Sequence, residues 1–326
     1  VRIAVTGATG FLGGAIVREA AARGHDVVAL HRDADRQGAG NLVWRGFDEW
    51  LRAEEGVDVV VHAAALRHRH GVSPADYLRV NRDLTGRVVV RAAGSGAHLV
   101  HLSSIGVYGW PPPERLPIDE TFPFDPVGPY GASKVDSERI VTGGGARWTI
   151  IQPSITYGPG DTNGMVDKMI RMIQRSLFVL PGLARTRVQL VYIDDLARLC
   201  VDAAEKRPMG ERFICTYRDP IRVRDLVLGI ARATGGHVAP FGPPAAWLRV
   251  AARGVEALES LGVFRGAEPP LTRDKLAMIS VDRAYCIDKM RALLDDEPRV
   301  GYEDGLARTV RAQRGLAPSY AGEERR

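Results

Sequence analysis

Short β-rich apolar runs alternate with longer stretches of helical spacing from the first residue onward. Residues 1–5 read as a strand, and 11–23 as a helix that Gly24 ends. Residues 26–30 and 57–62 read as further strands. A helix over about 74–93, a strand at 98–102, a helix at 130–142 and a strand at 148–152 continue the alternation. This rhythm predicts a parallel, doubly wound sheet with right-handed crossovers.

The rhythm weakens after Gln152. Residues 188–192 and 212–216 still read as strands of the main sheet, with a helix over 194–205 between them. Helical patterns at 161–174, 223–234, 244–261 and 271–278 predict a smaller, mostly helical lobe. The chain divides accordingly into a nucleotide-binding domain of 1–153 plus 188–217 and a substrate lobe of 154–187 plus 218–326. Trp247, Val250, Ala251, Val255, Leu258 and Leu261 share one face of a helix, which predicts packing inside that lobe, with the lining of an apolar substrate pocket or a membrane-surface helix as the alternatives. The Pro-rich stretch 111–126 lies close between strand and helix signals and reads as an ordered surface loop.

Composition changes this picture little. The 326 residues are 45% hydrophobic and 25% charged, as in an ordinary soluble protein. The first strand is too short for the apolar core of a signal peptide, and no apolar run spans a bilayer, so a cytoplasmic protein without membrane insertion is expected. The net charge of +5 comes from scattered arginines, which suits an anionic small molecule better than nucleic acid. Cys200, Cys215 and Cys286 form neither a disulfide framework nor a metal-ligand pattern. His68 and His70, in Arg67-His68-Arg69-His70, have no acidic or thiol partner nearby. No metal is expected, and the segment reads as an exposed basic loop facing an anionic substrate group.

Candidate chemistry begins at Thr6-Gly7-Ala8-Thr9-Gly10-Phe11-Leu12-Gly13, which closes a strand and opens a helix. Gly7 allows the tight turn, Gly10 lets a pyrophosphate approach the backbone, and Gly13 lets the helix lie on the sheet. Thr9, Phe11 and Leu12 complete the loop, and the helix N-terminus offers N–H groups to phosphates. The second strand ends in His31-Arg32-Asp33, with Arg36 one turn on. An acid at the strand end would bond a ribose 2′-hydroxyl. His31 stands there instead, and Arg32 and Arg36 suit a 2′-phosphate, so NADP(H) is expected over NAD(H).

Tyr130-Gly131-Ala132-Ser133-Lys134 opens a helix and places phenol and ammonium on one face. A free tyrosine titrates near pH ~10, and a neighbouring cation stabilises its phenolate. Ser104, in Leu102-Ser103-Ser104-Ile105-Gly106-Val107-Tyr108-Gly109, sits at the C-terminal end of a strand, the edge where open α/β sheets bind ligands. Ser104, Tyr130 and Lys134 are the candidate catalytic residues.

Together TGATGFLGG, VVHAAA, HLSSIGVYG, YGASK and PSITYGPGD resemble the extended short-chain dehydrogenase/reductase superfamily, in its NAD-dependent epimerase/dehydratase group. The likeness runs in order over 1–200. PPLTRDKL, SVDRAYCIDKMRALL and GYEDGLARTV look like the 3β-hydroxysteroid dehydrogenase-like branch. The resemblance implies an α/β Rossmann sheet and a helical C-terminal lobe. It implies that Ala63, Ala64 and Ala65 line the cofactor ribose, that Ser103 stands on the nicotinamide side, and that Pro153 and the residues after it, including Ile155, pack against the nicotinamide. Asn81 falls where relatives have a structural or relay asparagine.

Departures from the pattern narrow the chemistry. Family dehydratases carry Asp-Glu after the catalytic Thr, where this chain has Ile105-Gly106. Nucleotide-sugar epimerases usually carry Asn at the position of Ile155, and Gln152 replaces a frequent Arg. The expected activity is therefore hydride transfer between NADP(H) and a secondary alcohol or ketone, on an apolar skeleton, with Tyr130 as general acid/base. The alternatives are a nucleotide-sugar 4-epimerase or 4-ketoreductase using the same three residues, and a non-catalytic NADPH-sensing protein, against which Tyr130 argues. Tyr77, Val80, Leu84 and Val88, with Leu78 and Val89, exceed one sheet-facing stripe and predict a homodimer through the helices at 74–93 and 130–142.

Overall fold

A computed structural model describes residues 1–31, 40–67, 71–180, 186–239, 242–261, 263, 269 and 271–315. Seven parallel strands form the main sheet: β1 (Arg2–Thr6), β2 (Asp26–His31), β3 (Leu42–Gly46), β4 (Val59–His62), β5 (His98–Leu102), β6 (Arg147–Pro153) and β10 (Glu211–Cys215). Their spatial order is β3-β2-β1-β4-β5-β6-β10. The order reverses between β1 and β4, which pair in register from Ile3 opposite Val59 to Thr6 opposite His62. This switch point opens a crevice at the C-terminal strand ends.

Every residue of β4 and β5 is buried, His62, His98 and His101 included, as helices on both faces of the sheet require. On one face lie α1 (Phe11–Ala22) and α7 (Ile193–Lys206), which pack on each other through Ile16, Ala20, Leu196 and Cys200. On the other lie α2 (Phe47–Arg52), α4 (Leu84–Ser95) and α5 (Gly128–Gly143), around Trp50, Val88, Val89 and Val141. Helix α4 continues α3 (Pro74–Tyr77) through a π-helical turn at Leu78–Asp83. The expected 74–93 helix is therefore one element with an insertion. Tyr77, Val88 and Val89 turn inward, while Val90 faces solvent.

The strand expected at 188–192 is not part of the main sheet. It splits into β8 (Arg187–Val188), antiparallel to β11 (Ile221–Arg222), and β9 (Leu190–Tyr192), parallel to β7 (Ile155–Tyr157). The break falls at buried Gln189. Its amide donates to the carbonyls of Tyr217 (2.9 Å) and Arg218 (2.8 Å) and accepts from Tyr285 N (2.6 Å). A side chain satisfying three backbone groups fixes the bend. Strand β3 and the short α2 were not expected from the sequence.

After β11 come α8 (Val223–Thr234), α9 (Ala245–Ser260), α10 (Arg273–Ser280), α11 (Asp288–Leu294) and α12 (Tyr302–Gln313), with α6 (Met165–Gln174) packed on α8. The loop 111–126 is ordered: Ile118 bridges Tyr285, and Asp125 N donates to Val107 O at 3.0 Å. Cys200 and Cys215 are buried and Cys286 partly so. The stripe on α9 departs from expectation. Trp247, Val250, Ala251, Leu258 and Leu261 face solvent, Val255 is half-buried, and small Ala252 is the fully buried side chain of the helix.

Candidate active site

The crevice is floored by backbone. Gly7 has φ +68, and a Cβ there would lie 2.9 Å from Ala64 Cα. A Cβ on Gly13 would lie 2.1 Å from the Gly7 carbonyl oxygen. Gly10 caps α1 without a side chain, which leaves the first N–H groups of the helix open to an anion. Thr9 and Gly10 are exposed and Phe11 and Leu12 partly so. Across the crevice stand Ala63, Ala64 and Ala65, also partly exposed. Thr6 Oγ1 joins the two sides, accepting from Ala64 N at 3.1 Å and bonding His62 Nδ1 at 2.7 Å. Close backbone, free helix N–H groups and missing side chains fit the pyrophosphate of a dinucleotide.

At the adenosine end, His31 closes β2, buried with its ring 5.9 Å from that of Trp44. Arg32 and Arg36 lie outside the described residues. At the other end, Arg67 pairs with Asp161 at 2.9 Å and stands 5.8 Å over the Phe11 ring. Asp161 also accepts from Gly164 N at 3.0 Å. The loops after β4 and β7 are thus tied over the glycine loop, a task the sequence reading did not give Arg67. His68, Arg69 and His70 lie outside the described residues.

Beyond β5, Ser104 Oγ accepts from Gly106 N at 3.0 Å and is hydrogen-bonded to Tyr130. Gly131 permits this closeness, since a Cβ there would lie 2.8 Å from Gly106 O. Lys134 follows one turn along α5, buried, and donates to Leu102 O at 2.8 Å. Burial lowers its pKa to about 8, against the pull of Glu138. Burial raises the Tyr130 phenol, while the Ser104 hydrogen bond and the charge of Arg67 lower it. The Tyr77 ring meets Tyr130 edge-on at 6.0 Å. Ser104, Tyr130 and Lys134 therefore come together at the crevice. Pro153 and Ile155 flank it, ending β6 and opening β7.

The supporting residues were mostly silent in sequence. Asn81, in the π-helical turn, donates to Ser133 Oγ (3.0 Å) and Leu66 O (3.1 Å) and accepts from Leu66 N (2.7 Å). Ser133 in turn donates to Tyr130 O at 2.7 Å. π-Helical turns recur at functional sites. Ser103 donates to buried Glu138. His62 and His101 lie beneath Lys134, with ring centroids 5.4 Å apart. Burial and the lysine charge push both pKa values down, His62 to about 3. The resemblance marks Asn81 and Ser103 in the sequence, and the spacing of Glu138, four residues beyond Lys134, is a further signal; nothing in the sequence marks His62 or His101.

A doubly wound sheet with a glycine-loop crevice, and a Ser–Tyr–Lys group beside it, defines a nicotinamide-dependent oxidoreductase of the extended short-chain dehydrogenase/reductase type. The chain belongs to the NAD dependent epimerase/dehydratase family, whose model matches residues 3–215. It is 31% identical to the 2-alkyl-3-oxoalkanoate reductase of Stenotrophomonas maltophilia, over 94% of this chain and 98% of that protein. It is 28% identical to the 4-hydroxy-2-methyl-3-oxo-4-farnesyl-3,4-dihydroquinoline-1-oxide ketoreductase of Stigmatella aurantiaca, over 94% and 95%. Among solved structures it is similar to MoeE5 in complex with UDP-glucose and NAD, with a TM-score of 0.73 and 22% identity over 97% of this chain and 99% of that one.

Proposed function

We propose that this chain is an NADP(H)-dependent ketoreductase for a ketone or secondary alcohol on an apolar skeleton. The observation that carries the proposal is the hydrogen bond between Ser104 and Tyr130 at the sheet's C-terminal edge, with buried Lys134 one turn behind. The nicotinamide, when bound, supplies or accepts the hydride. Ser104 orients the carbonyl oxygen, and Tyr130 gives it a proton. Lys134, with a pKa of about 8, tunes the phenol and supports the ribose. Such acid–base help is worth about 10²–10⁴ in rate. Residues next to Ser104 are Ile105 and Gly106, so no acid stands there for water elimination. His31 and the adjoining Arg32 favour the 2′-phosphate. The names of the Stenotrophomonas and Stigmatella relatives point to alkyl-chain and isoprenoid ketones. The test is anaerobic NADPH oxidation with β-keto acids, polycyclic ketones and UDP-sugars. The expected result is turnover with an apolar ketone. Epimerisation of a UDP-sugar without net cofactor oxidation would replace this reading with the epimerase one.

A further inference from the structure

Helix α9 turns most of its large apolar residues toward solvent. Trp247 is 74% exposed, Val250 68%, Leu258 45% and Leu261 78%. They recur at spacings of three and four residues, so they form one stripe. Its main packing partner is α10, and the side it turns inward carries buried Ala252 with half-buried Leu248 and Val255. A surface helix ordinarily does the reverse, and a contiguous exposed apolar patch marks a docking face.

Charge says what docks there. Arg249 and Arg253 are exposed and lie one turn apart, on the shoulder of the stripe beside Val250. Glu259 is half-buried on the inward side with Ala252, and Glu256, also half-buried, lies beside Arg249 and Arg253. The exposed face of the helix is thus apolar, and its exposed charged residues are the two arginines. An anionic surface over an apolar interior complements both the stripe and its exposed arginines. Trp247 suits headgroup depth, with an apolar ring and one N–H donor. The helix has 16 residues. Its length of about 24 Å is short of a bilayer core. Among the described residues no helix is long and apolar enough to cross a membrane.

We propose that Ala245–Ser260 is an interfacial helix that docks this protein on an anionic phospholipid bilayer, lying in the plane of the headgroups. The inference goes beyond the ketoreductase reading, and its test involves no turnover, so either can fail alone. Full-length protein is floated with phosphatidylcholine vesicles, with and without phosphatidylglycerol. The expected result is co-flotation with the anionic vesicles, weakening as salt is added. Trp247→Glu with Leu258→Glu should cut that binding by about tenfold or more. Arg249→Gln with Arg253→Gln should weaken it by about fivefold per arginine. All four side chains are exposed, so melting temperature and NADPH titration should match the wild type and show that the variants fold. Wild-type protein that floats with neither vesicle overturns the proposal, as does a Trp247→Glu, Leu258→Glu variant that floats like the wild type. A wild-type dimer that the same variant turns into a monomer also overturns it, because a second copy would then cover the stripe.

Discussion

Ser103 donates a hydrogen bond to Glu138, and both side chains are closed off from solvent. The same carboxylate accepts from Gln152 Nε2 at 2.9 Å and faces Arg212 Nε at 2.7 Å. One buried anion therefore anchors the residue beside Ser104 and the residue before Pro153. It also opposes the burial that lowers Lys134. Glu138→Gln keeps the shape and removes the charge. The Lys134 pKa should then fall further, moving the limb of the kcat–pH profile that reports it toward lower pH. Stability by urea melting should drop by about 1–3 kcal/mol, less than for a fully enclosed pair because Arg212 is partly exposed. An unmoved profile would leave Glu138 a purely structural group.

Tyr130→Phe deletes one hydroxyl in a partly exposed ring. NADPH titration should be unchanged, while kcat falls by about two decades or more. Near-normal turnover would remove Tyr130 from the mechanism.

Arg32→Asp replaces a phosphate partner with a phosphate repeller. The ratio of NADPH to NADH affinity should fall by about tenfold or more, read by fluorescence titration. A wild-type protein that holds NADH more tightly than NADPH would show that His31 and Arg32 do not select the phosphate.

Acid should unfold this protein through its buried histidines. His62 titrates at about 3 in the fold, against 6.5 as a free side chain, and His101 is also depressed well below 6.5. Below pH 6.5 the unfolded chain binds protons that the folded chain refuses, so the stability present above 6.5 is lost as pH falls toward about 3. Each histidine contributes a slope approaching about 1.4 kcal/mol per pH unit. His101 has no hydrogen-bond partner for either nitrogen among the described residues. His101→Leu should therefore flatten the slope in urea melts across this window while leaving neutral-pH stability nearly intact. An unchanged slope would assign acid sensitivity elsewhere.

We infer a homodimer through the outward faces of α4 and α5, where Val90 is 73% exposed beside a groove lined by Arg87 and Ile140. The surface is narrower than the sequence implies, because Tyr77, Val88 and Val89 face inward. Val90→Glu should convert a dimeric mass by light scattering into a monomeric one. A monomeric wild type at micromolar concentration would defeat the idea.

The sheet was legible because its signals are local. Val27–Leu30 and Val59–Val61 are apolar runs bounded by turns, and Gly7, Gly10 and Gly13 sit where strand gives way to helix. Tyr130 and Lys134 were legible because four residues make one helical turn. Edge strand β3 escaped because Leu42–Gly46 is half-exposed and shows no clean alternation. The break at Gln189 escaped because it depends on carbonyls 28 and 29 residues away. The outward stripe of α9 escaped for a different reason. Helical spacing reveals that a face is apolar but not which way it points.

The π-helical turn at Leu78–Asp83 has an extra residue in its helical path. Each residue of an α-helix adds about 100° of rotation. The insertion thus works as a phase shifter between two halves of one rod. The half at Leu84–Ser95 keeps Val88 and Val89 on the sheet, while the other half swings Tyr77 under Tyr130 and turns Asn81 toward Ser133. Shortening the turn by a single residue would leave the sheet-facing half in place and rotate Tyr77 out of the crevice. The site's geometry is thereby set by helix phase as well as by side-chain identity, and an alignment that closed this one-residue gap would misplace every residue on the N-terminal side.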